Sequence, residues 1–335
     1  MKRWFFLIAL LFMIITHACD FDKGEKTKQN VTNKKTTTLY HGFNADSSYN
    51  FVKRQVDFGP RVPGSEAHGK CADFLAAKLN EFCDTVITQN FKARVYTNEI
   101  FDGINIVGSI NPAASNRILV CSHWDSRPYA DMDEDVKNHN TPIPGANDGA
   151  SGVGVILELA RQLQMERPNM GVDFLLLDME DYGPKVDYDN GGESTEHFWG
   201  LGAQYWGKNP HVYGYKARFG ILLDMVGNAS LHVMQEQYSQ YYAKNILDKV
   251  WTMADTLGYA DVFVKETGGI VTDDHVFINE LTGIPTVDII HQNLFSKNGL
   301  FFDQWHTLED DIHHIDPQSL KIVGDVVLNV IRNEK

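Results

Sequence analysis

VDFLLLDMEDY, residues 172–182, is the stretch from which the fold of this chain can be worked out. Its apolar run over 174–177 is almost unbroken, which is typical of a strand buried on both faces inside a parallel sheet. The acids Asp178, Glu180 and Asp181 follow at once. Because an unpaired buried carboxylate costs several kcal/mol, acids at the end of such a strand usually face a metal ion, a base or water. In open α/β sheets this carboxyl edge binds ligands; the alternative is that the acids cap a turn.

Length and charge limit the class of protein. The 335 residues are enough for one α/β domain with a large core, and 43% hydrophobic and 22% charged residues are ordinary values for a globular protein. The formal net charge of −14 argues against nucleic acid as a partner, since binding phosphates requires a basic surface. We expect an acidic, folded domain that binds no nucleic acid.

The first residues have the composition of an export signal. Residues 1–18 combine a basic start, an apolar run too short to span a membrane, and a small residue before Cys19. Cys19 resembles the lipid-modified cysteine of a bacterial lipoprotein, although Thr16 and His17 depart from the usual pattern; simple cleavage near Ala18 is the alternative. Residues 19–40 are polar and predict a flexible tether, so the catalytic domain occupies 41–335. We expect an exported, periplasmic protein whose only membrane contact is a lipid anchor.

Three further cysteines do not suggest a disulfide framework. Cys71 and Cys83 fall on one predicted helix, roughly 18 Å apart at 1.5 Å per residue, which is too far to bridge. Cys121 falls in a predicted strand. We expect all three to be small buried hydrophobic residues.

Apolar periodicity predicts the order of the elements. Helices are expected over 47–57, 64–82, 151–164, 241–257 and 317–331, and strands over 86–96, 100–110, 117–122, 172–177, 219–225, 262–264 and 284–290. The strand, helix and strand between 117 and 177 form a β-α-β unit, which joins parallel strands. Two polar insertions, 129–144 and 185–197, interrupt this order, and the second is long enough to be functional.

Polar residues accumulate where the predicted strands end. The set comprises His123, Asp125, Asp148, Glu180, Asp181, Asp224 and, from a later loop, His306. Imidazole and carboxylate ligands together suit Zn²⁺. The sequence contains neither an H-E-x-x-H helix nor a G-x-S-x-G elbow. Taken singly, His306 could be a loop histidine, Asp148 a helix cap and Asp224 a turn residue; their convergence on one edge is what indicates a metal site.

The ordered motifs carry a family resemblance. HWDSR, GANDGASG, DMED, LLDMVG, TDDH and WHTLED, spread over about residues 45–333, resemble those of the co-catalytic zinc aminopeptidase family and, within it, of the glutaminyl-peptide cyclotransferases. The resemblance implies an α/β fold with a mixed, largely parallel central sheet flanked by helices. It also implies zinc bound at the carboxyl ends of the strands.

The two branches of that family imply different metal sites. In the aminopeptidases two zinc ions would be held by the matching residues His123, Asp148, Asp181, Asp224 and His306, with Glu180 as general base. In the cyclotransferases one zinc would be held by Asp148, Asp181 and His306. His123 and Asp125 are then left as candidates for a second metal or for supporting the ligands.

Two residues favour the cyclotransferase branch. Trp305 matches a tryptophan that packs on the substrate, and Asp273 matches an acid that shares a proton with the acid matched by Asp224. Two positions depart from the pattern: Asp181 stands where the cyclotransferases usually have Glu, and Asp288 where the animal enzymes have His. An aromatic residue expected after the acid pair has no clear match, and Trp199 or a residue of 185–197 is the candidate.

The resemblance therefore implies an enzyme that converts the N-terminal glutamine of peptides and proteins to pyroglutamate and releases ammonia, with one zinc per chain. Glu180 would move the proton, and Asp224 and Asp273 would hold the leaving nitrogen. A dinuclear zinc aminopeptidase is the first alternative. A non-catalytic, peptidase-like surface protein that binds a partner is the second.

Overall fold

A computed structural model describes residues 37–334, so the predicted leader, Cys19 and most of the tether lie outside the described residues. Within 37–334 the helices are α1 Ala45–Val56, α2 Glu66–Phe82, α3 Ala150–Met165, α4 Leu201–Lys208, α5 Gln237–Leu257, α6 Asp274–Thr282 and α7 Pro317–Asn333. The strands are β1 Thr85–Arg94, β2 Ile100–Ile110, β3 Arg117–His123, β4 Gly171–Leu177, β5 Gly220–Asp224, β6 Val233–Gln235, β7 Phe263–Thr267 and β8 Thr286–Ile290.

Six of the strands form the central sheet, in the order β1-β2-β4-β3-β5-β8. The strands β4, β3, β5 and β8 run parallel to one another, whereas β2 pairs antiparallel with both β1 and β4. The predicted α/β fold with a mixed, largely parallel sheet is confirmed. Strands β6 and β7 form a separate parallel pair.

The sheet is covered on both faces by apolar side chains. In β4, Phe174 and Leu176 pack in the larger core with α1, α2, α3, α5 and α7. Their neighbours Leu175 and Leu177 face the other way, into a smaller core with Ala203 of α4 and residues of α6. All seven residues of β4 are buried, which confirms the strand buried on both faces.

Helix α3 lies very close to the sheet because small residues face it. A Cβ atom added to Gly152 would lie 2.2 Å from the carbonyl oxygen of Leu223 in β5, so only glycine allows this approach. The close packing brings the first turn of α3 against the ends of β3 and β5. It fixes the residues just before the helix at the carboxyl edge of the sheet.

Helix α4 was not predicted from the sequence. It has eight residues and contains Gly202 and Gly207, which lower its helix propensity and interrupt the periodic signal. A Cβ atom at Gly202 would lie 2.2 Å from the carbonyl oxygen of Asp178, so this glycine is required by packing rather than by the helix. Trp206 is fully buried on the same helix.

The prediction for the cysteines is wrong for Cys83. Cys71 and Cys121 are buried, but Cys83 is half-buried, because α2 ends at Phe82 and Cys83 is its extended C-terminal cap. All three thiols are free. None of the helices in 37–334 has the length and hydropathy that a bilayer span requires.

Candidate metal centre and substrate cavity

The parallel strands bring the acids and histidines to one edge. His123 is the last residue of β3, Asp224 is the last residue of β5, and Glu180 and Asp181 follow β4. Asp148 does not end a strand; it lies in the turn before α3. Gly149 is the cap of α3, so the Asp148 side chain is free to face the site rather than the helix.

One cluster joins Asp148, Asp181 and His306. The Nε2 atom of His306 lies 3.4 Å from Asp181 Oδ1 and 3.7 Å from Asp148 Oδ2, and all three side chains are buried. Zinc bonds of about 2.0–2.1 Å in a tetrahedron would separate neighbouring ligand atoms by about 3.3 Å. The spacing and the donor atoms therefore suit a zinc ion with an open fourth position.

A second cluster joins His123, Asp148 and Asp224. The Nε2 atom of His123 lies 3.0 Å from Asp148 Oδ1 and 3.2 Å from Asp224 Oδ1. Asp148 thus offers a different oxygen to each cluster, which is the arrangement of a carboxylate that can bridge two cations. The geometry suits one ion or two, so the count of one zinc per chain stays a prediction.

Asp125 supports the acid pair rather than joining either cluster. Its two oxygens accept hydrogen bonds from the backbone N–H groups of Glu180, at 3.1 Å, and Asp181, at 3.2 Å. The Oδ1 atom also lies 3.4 Å from Nδ1 of His123. Asp125 therefore fixes where the two acids leave the sheet.

Backbone strain is concentrated at the site. Met179, Met225 and His306 have φ angles of 58°, 51° and 56°, in the left-handed region that non-glycine residues rarely adopt. Such residues cost of order 1–3 kcal/mol each and persist where the surroundings hold them. Met179 and Met225 each directly follow an acid at the end of a strand, and His306 is itself a candidate metal ligand.

Sequence reasoning missed a buried cation beside the first cluster. The Arg127 guanidinium donates to both oxygens of Asp131, at 2.8 and 2.7 Å, and lies 3.3 Å from Asp181 Oδ1. Arg127 holds the pKa of Asp131 well below its usual range, although burial opposes this. Asp131 Oδ1 lies 3.5 Å from Nδ1 of His306, so it can orient the imidazole with Nε2 towards a cation. Asp131 lies in the polar insertion over 129–144, and that insertion was the sequence feature that could have indicated a role for it.

Asp310 was also missed. Its carboxyl group accepts hydrogen bonds from the backbone N–H groups of Asn147, at 2.8 Å, and Asp148, at 3.1 Å. Burial and the nearby charge of Asp148 raise the pKa of Asp310 to about 8. Asp310 is the last residue of the WHTLED motif. Its partner Asp148 lies 162 residues earlier in the chain, so no local pattern connects the two.

A cavity of about 290 Å³ opens at this edge. Its wall includes the predicted metal ligands Asp148, Asp181 and His306. It also includes the predicted catalytic acids Glu180, Asp224 and Asp273 and the predicted substrate-binding residues Trp199 and Trp305. The Trp305 ring stacks on the His306 ring, with centroids 3.6 Å apart. Arg127 lies over Trp199, 5.1 Å from its centroid. From the 185–197 insertion, Glu196 reaches the same wall.

Four acids in the wall, Glu180, Asp181, Asp224 and Asp273, have pKa values raised mainly by burial. Burial, and then the charge of Asp273, raise the pKa of Glu180 well above its ordinary value. Burial raises the pKa of Asp224 to about 7, although the hydrogen bond from His123 opposes the shift. Asp224 therefore changes protonation near neutral pH, and Glu180 keeps its proton to a higher pH than a free carboxyl does; a raised pKa of this kind suits proton transfer.

Asp224 and Asp273 have different immediate partners. Asp224 pairs with His123, whereas Asp273 caps α6 and groups with His275 and Asp288. The proton that the sequence analysis expects them to share stays a prediction. Asp288, noted only as a departure from the animal enzymes, is part of the same buried acid group.

An α/β sheet with a histidine and carboxylate cluster at its carboxyl edge is the architecture of a metal-dependent hydrolase or transferase. Peptidase family M28 matches residues 105–331, and the chain belongs to this family. This agrees with the zinc aminopeptidase-like fold expected from the motifs.

Several solved structures that are similar to the chain come from bacteria. The glutaminyl cyclase of Bacteroides thetaiotaomicron is 48% identical, with a TM-score of 0.85, over 90% of this chain and 100% of that one. A structure described as a leucine aminopeptidase precursor from Bacteroides thetaiotaomicron VPI-5482 is also 48% identical, with a TM-score of 0.84, over 90% of this chain and 99% of that one. One structure is described as a cyclase and the other as an aminopeptidase, and these are the two activities that the motifs leave as alternatives.

A curated relative of lower sequence identity is also a cyclotransferase. The glutaminyl-peptide cyclotransferase of Bos taurus is 22% identical over 67% of this chain and 64% of its own length. The chain matches 45% to 64% of the length of the first curated relatives.

Replacing Asp131 with Asn should weaken the binding of a divalent cation by about 10- to 100-fold, the effect typical of groups that orient a metal-binding histidine. The measurement is competitive titration of the metal-free protein with a zinc chelator, at a temperature where circular dichroism shows the fold intact. Glu134→Gln is the matched control, because Glu134 is exposed in the same insertion and pairs with Lys297. Unchanged affinity in Asp131→Asn would show that Asp131 does not orient His306.

Proposed function

We propose that the chain is a zinc-dependent glutaminyl-peptide cyclotransferase, which converts the N-terminal glutamine of peptides and proteins to pyroglutamate and releases ammonia. The observation that carries the proposal is that the wall of one cavity contains both the ligand cluster of Asp148, Asp181 and His306 and the acids Glu180 and Asp273. The likeness to bacterial glutaminyl cyclases over the whole length of those structures supports it.

The residues fit zinc. The ligand atoms are one imidazole nitrogen and two carboxylate oxygens, Asp181 Oδ2 is buried without a hydrogen-bond partner, and His306 already has Asp131 behind it. When bound, zinc would supply Lewis-acid polarisation of the glutamine side-chain carbonyl. Asp148, Asp181 and His306 would hold it and leave one position open to the substrate.

Glu180 is the group that moves the proton. As a carboxylate it takes a proton from the substrate α-amine, whose nitrogen then forms a bond to the side-chain carbonyl carbon and closes a five-membered ring. The bond from that carbon to the amide nitrogen breaks, and Glu180 returns the proton to the departing ammonia. This cycle requires a pKa higher than that of free Glu, and burial beside Asp273 shifts the pKa of Glu180 in that direction.

The cyclisation requires only limited acceleration by the protein. The attacking amine and the carbonyl belong to the same residue, so the reaction already has a high effective molarity. Trp305 and Trp199 would hold the glutamine side chain between aromatic faces and exclude water. Asp224 and Asp273 would then hold the leaving nitrogen.

The second candidate function is a dinuclear zinc aminopeptidase. The cluster of His123, Asp148 and Asp224 favours it, since these residues could hold a second cation. Against it, a metal-bound Asp224 would be held deprotonated and could not share a proton with Asp273. The completeness of both clusters weighs against a non-catalytic binding protein, in which such residues are typically lost.

The test is to incubate the pure, zinc-loaded protein with a glutaminyl peptide and, separately, with the same peptide carrying N-terminal leucine. We expect ammonia and pyroglutamate in equal amounts from the first, no free leucine from the second, and one zinc per chain by elemental analysis. Two tightly bound zinc ions with rapid release of leucine would establish the aminopeptidase instead.

Glu180→Gln should lower kcat by about 10²- to 10⁴-fold, because the amide cannot accept the proton from the amine. Zinc content and peptide binding, measured by elemental analysis and calorimetry, should stay near those of the wild type. Glu196→Gln, in the wall of the same cavity but exposed, should keep its activity. By contrast, Asp181→Ala and His306→Ala should lose zinc. Near wild-type kcat in Glu180→Gln would remove Glu180 from the proton transfer.

We also propose that the protein is exported to the periplasm and anchored by a lipid on Cys19, with no other membrane contact. The leader-like composition of residues 1–18 and the polar tether over 19–40 support this. Cys19→Ala should abolish labelling with a radioactive fatty acid in cells, whereas Cys71→Ala should not affect it. Equal labelling of Cys19→Ala and wild type would contradict the anchor.

A further inference from the structure

A second cavity, here called the side cavity, adjoins the catalytic cavity. It measures about 240 Å³, and its wall includes Arg127, Lys185, Tyr188, Trp199, Trp305 and His306. The last three of these residues also line the catalytic cavity, so the two spaces meet at the residues proposed to hold the glutamine and the zinc. A peptide whose first residue lies between the two tryptophan rings therefore has the side cavity next to it.

Arg127 has no N–H group left for a ligand in the side cavity. Its guanidinium donates from Nε and Nη2 to the two oxygens of Asp131, from Nη2 also to the carbonyl oxygen of Pro184, and from Nη1 to two oxygens of Asp181. These five contacts match the five N–H groups of an arginine. The buried guanidinium is therefore part of the frame of the side cavity and does not select what binds there.

The Arg127 and Asp131 pair holds Lys185 in place from both sides. Arg127 donates to the carbonyl oxygen of the residue before Lys185 at 2.9 Å, and the backbone N–H of Val186 donates to Asp131 Oδ2 at 2.9 Å. Asp131 also lies 3.5 Å from Nδ1 of His306. The backbone of Lys185 is therefore tied to the candidate zinc ligand by a short chain of contacts, which fixes its position relative to the reacting centre.

The Lys185 ammonium group has no carboxylate partner among the residues that the structure describes. It donates a hydrogen bond to Oδ1 of Asn140 and lies 4.4 Å from the centroid of the Tyr129 ring. An ammonium group has three N–H donors, so these two contacts leave donor capacity for a further acceptor. Both contacts come from the 129–144 insertion, so the two polar insertions meet at this lysine.

The acids of the 185–197 insertion do not line the side cavity. The insertion contains four acids and one lysine. Asp187, Asp189 and Glu193 line neither cavity, and Glu196 lines the catalytic cavity. Of the described residues in the wall of the side cavity, none is Asp or Glu. A substrate side chain that enters the side cavity therefore meets the positive charge of Lys185 without a competing carboxylate.

We infer that the side cavity binds the second residue of the peptide substrate and that Lys185 selects an acidic side chain, Asp or Glu, at that position. The inference rests on the proposed function for the identity of the first residue, glutamine. A substrate carboxylate accepts a charge-assisted hydrogen bond from Lys185 and gives the lysine the partner that it lacks. A basic side chain would instead bring two like charges together in a partly buried space, where they repel more strongly than in water.

A third cavity offers the peptide a different direction. It measures about 320 Å³, and its charged residues are Asp133, Glu134, Asp303, Glu309 and Lys297. This acidic cavity shares only Trp305 with the catalytic cavity, whereas the side cavity shares three residues with it. A peptide that left through the acidic cavity would favour a basic second residue. The two directions therefore predict opposite preferences.

The experiment measures kcat/KM of the zinc-loaded protein for three peptide amides, Gln-Glu-Ala, Gln-Gln-Ala and Gln-Lys-Ala. The amide removes the C-terminal carboxylate, and the first two peptides have nearly the same shape but differ in charge. Salt at about 0.15 M, where the Debye length is about 8 Å, limits the long-range repulsion between the acidic peptide and a protein of net charge −14. We expect the glutamyl peptide to be preferred over the glutaminyl one roughly 10-fold, as a hydrogen bond between charged groups would give, and the lysyl peptide to be the poorest.

Two substitutions of Lys185 test its role. Lys185→Gln should remove the preference for the glutamyl over the glutaminyl second residue, and Lys185→Glu should make the lysyl peptide the best of the three. Lys297→Gln is the matched control, because it removes the same charge from the acidic cavity, where Lys297 already pairs with Glu134. This control should keep the wild-type order of the three peptides.

Three results would overturn the inference. The first is equal kcat/KM of the wild type for the glutamyl and glutaminyl second residues, and the second is a preference for the glutamyl residue that persists in Lys185→Gln. The third is a wild-type preference for the lysyl peptide, which is expected if the peptide leaves through the acidic cavity.

The test does not depend on which first residue the protein accepts. If the glutaminyl peptides are not turned over, the same three second residues are compared behind an N-terminal leucine, because an aminopeptidase would present its second residue to the same cavity. Calorimetry on Glu180→Gln gives the order of the three affinities without turnover. A failure of the proposed function changes the first residue, whereas a failure of this inference changes the order of the second residues.

Discussion

Carboxylates of like charge, crowded into a buried space, are the constraint that shapes this molecule. Glu180, Asp148, Asp181, Asp224 and Asp273 all lie in the wall of one cavity, and each is 8% exposed or less. Even after relaxation, taking one such charge out of water costs several kcal/mol. The fold can hold this group together only if each carboxylate has a cation, a proton or a set of hydrogen-bond donors.

The sheet is what forces the crowding, and its packing offsets the cost. Parallel strands end on the same edge, so a polar residue at the end of β3, β4 or β5 must meet the others there. Apolar cores on both faces hold the strands rigidly in register. That rigidity also maintains the left-handed backbone at Met179, Met225 and His306, where a flexible loop would relax.

Features of the fold and site that depend on residues close together in the sequence could be predicted, and features that depend on contacts between distant residues could not. The run at 174–177 and the acids after it are local, so both the buried strand and the position of Glu180 and Asp181 followed from periodicity. Which acids hold a metal and which move a proton came from the resemblance, not from the pattern. Asp131 and Asp310 were missed because they contact residues 175 and 162 positions away, one by an ion-pair contact and the other by backbone hydrogen bonds, and neither contact leaves a periodic pattern in the sequence. The short helix α4 escaped because its glycines serve packing.

The two halves of the site neutralise their acids in different ways, and this bears on the number of metal ions. On the side of His306, Arg127 donates to Asp131 and Asp181 and lowers the pKa of Asp131, but burial and the charge of Asp148 still raise the pKa of Asp181. On the side of Asp224, burial raises the pKa of that carboxyl to about 7. A region that already favours bound protons competes with a second cation for the same oxygens, since a metal requires them deprotonated. The first cluster differs from the second in that Arg127 opposes protonation of Asp181, whereas the charge of Asp273 promotes protonation of Asp224, and this difference in charge would make cation binding at the two clusters unequal.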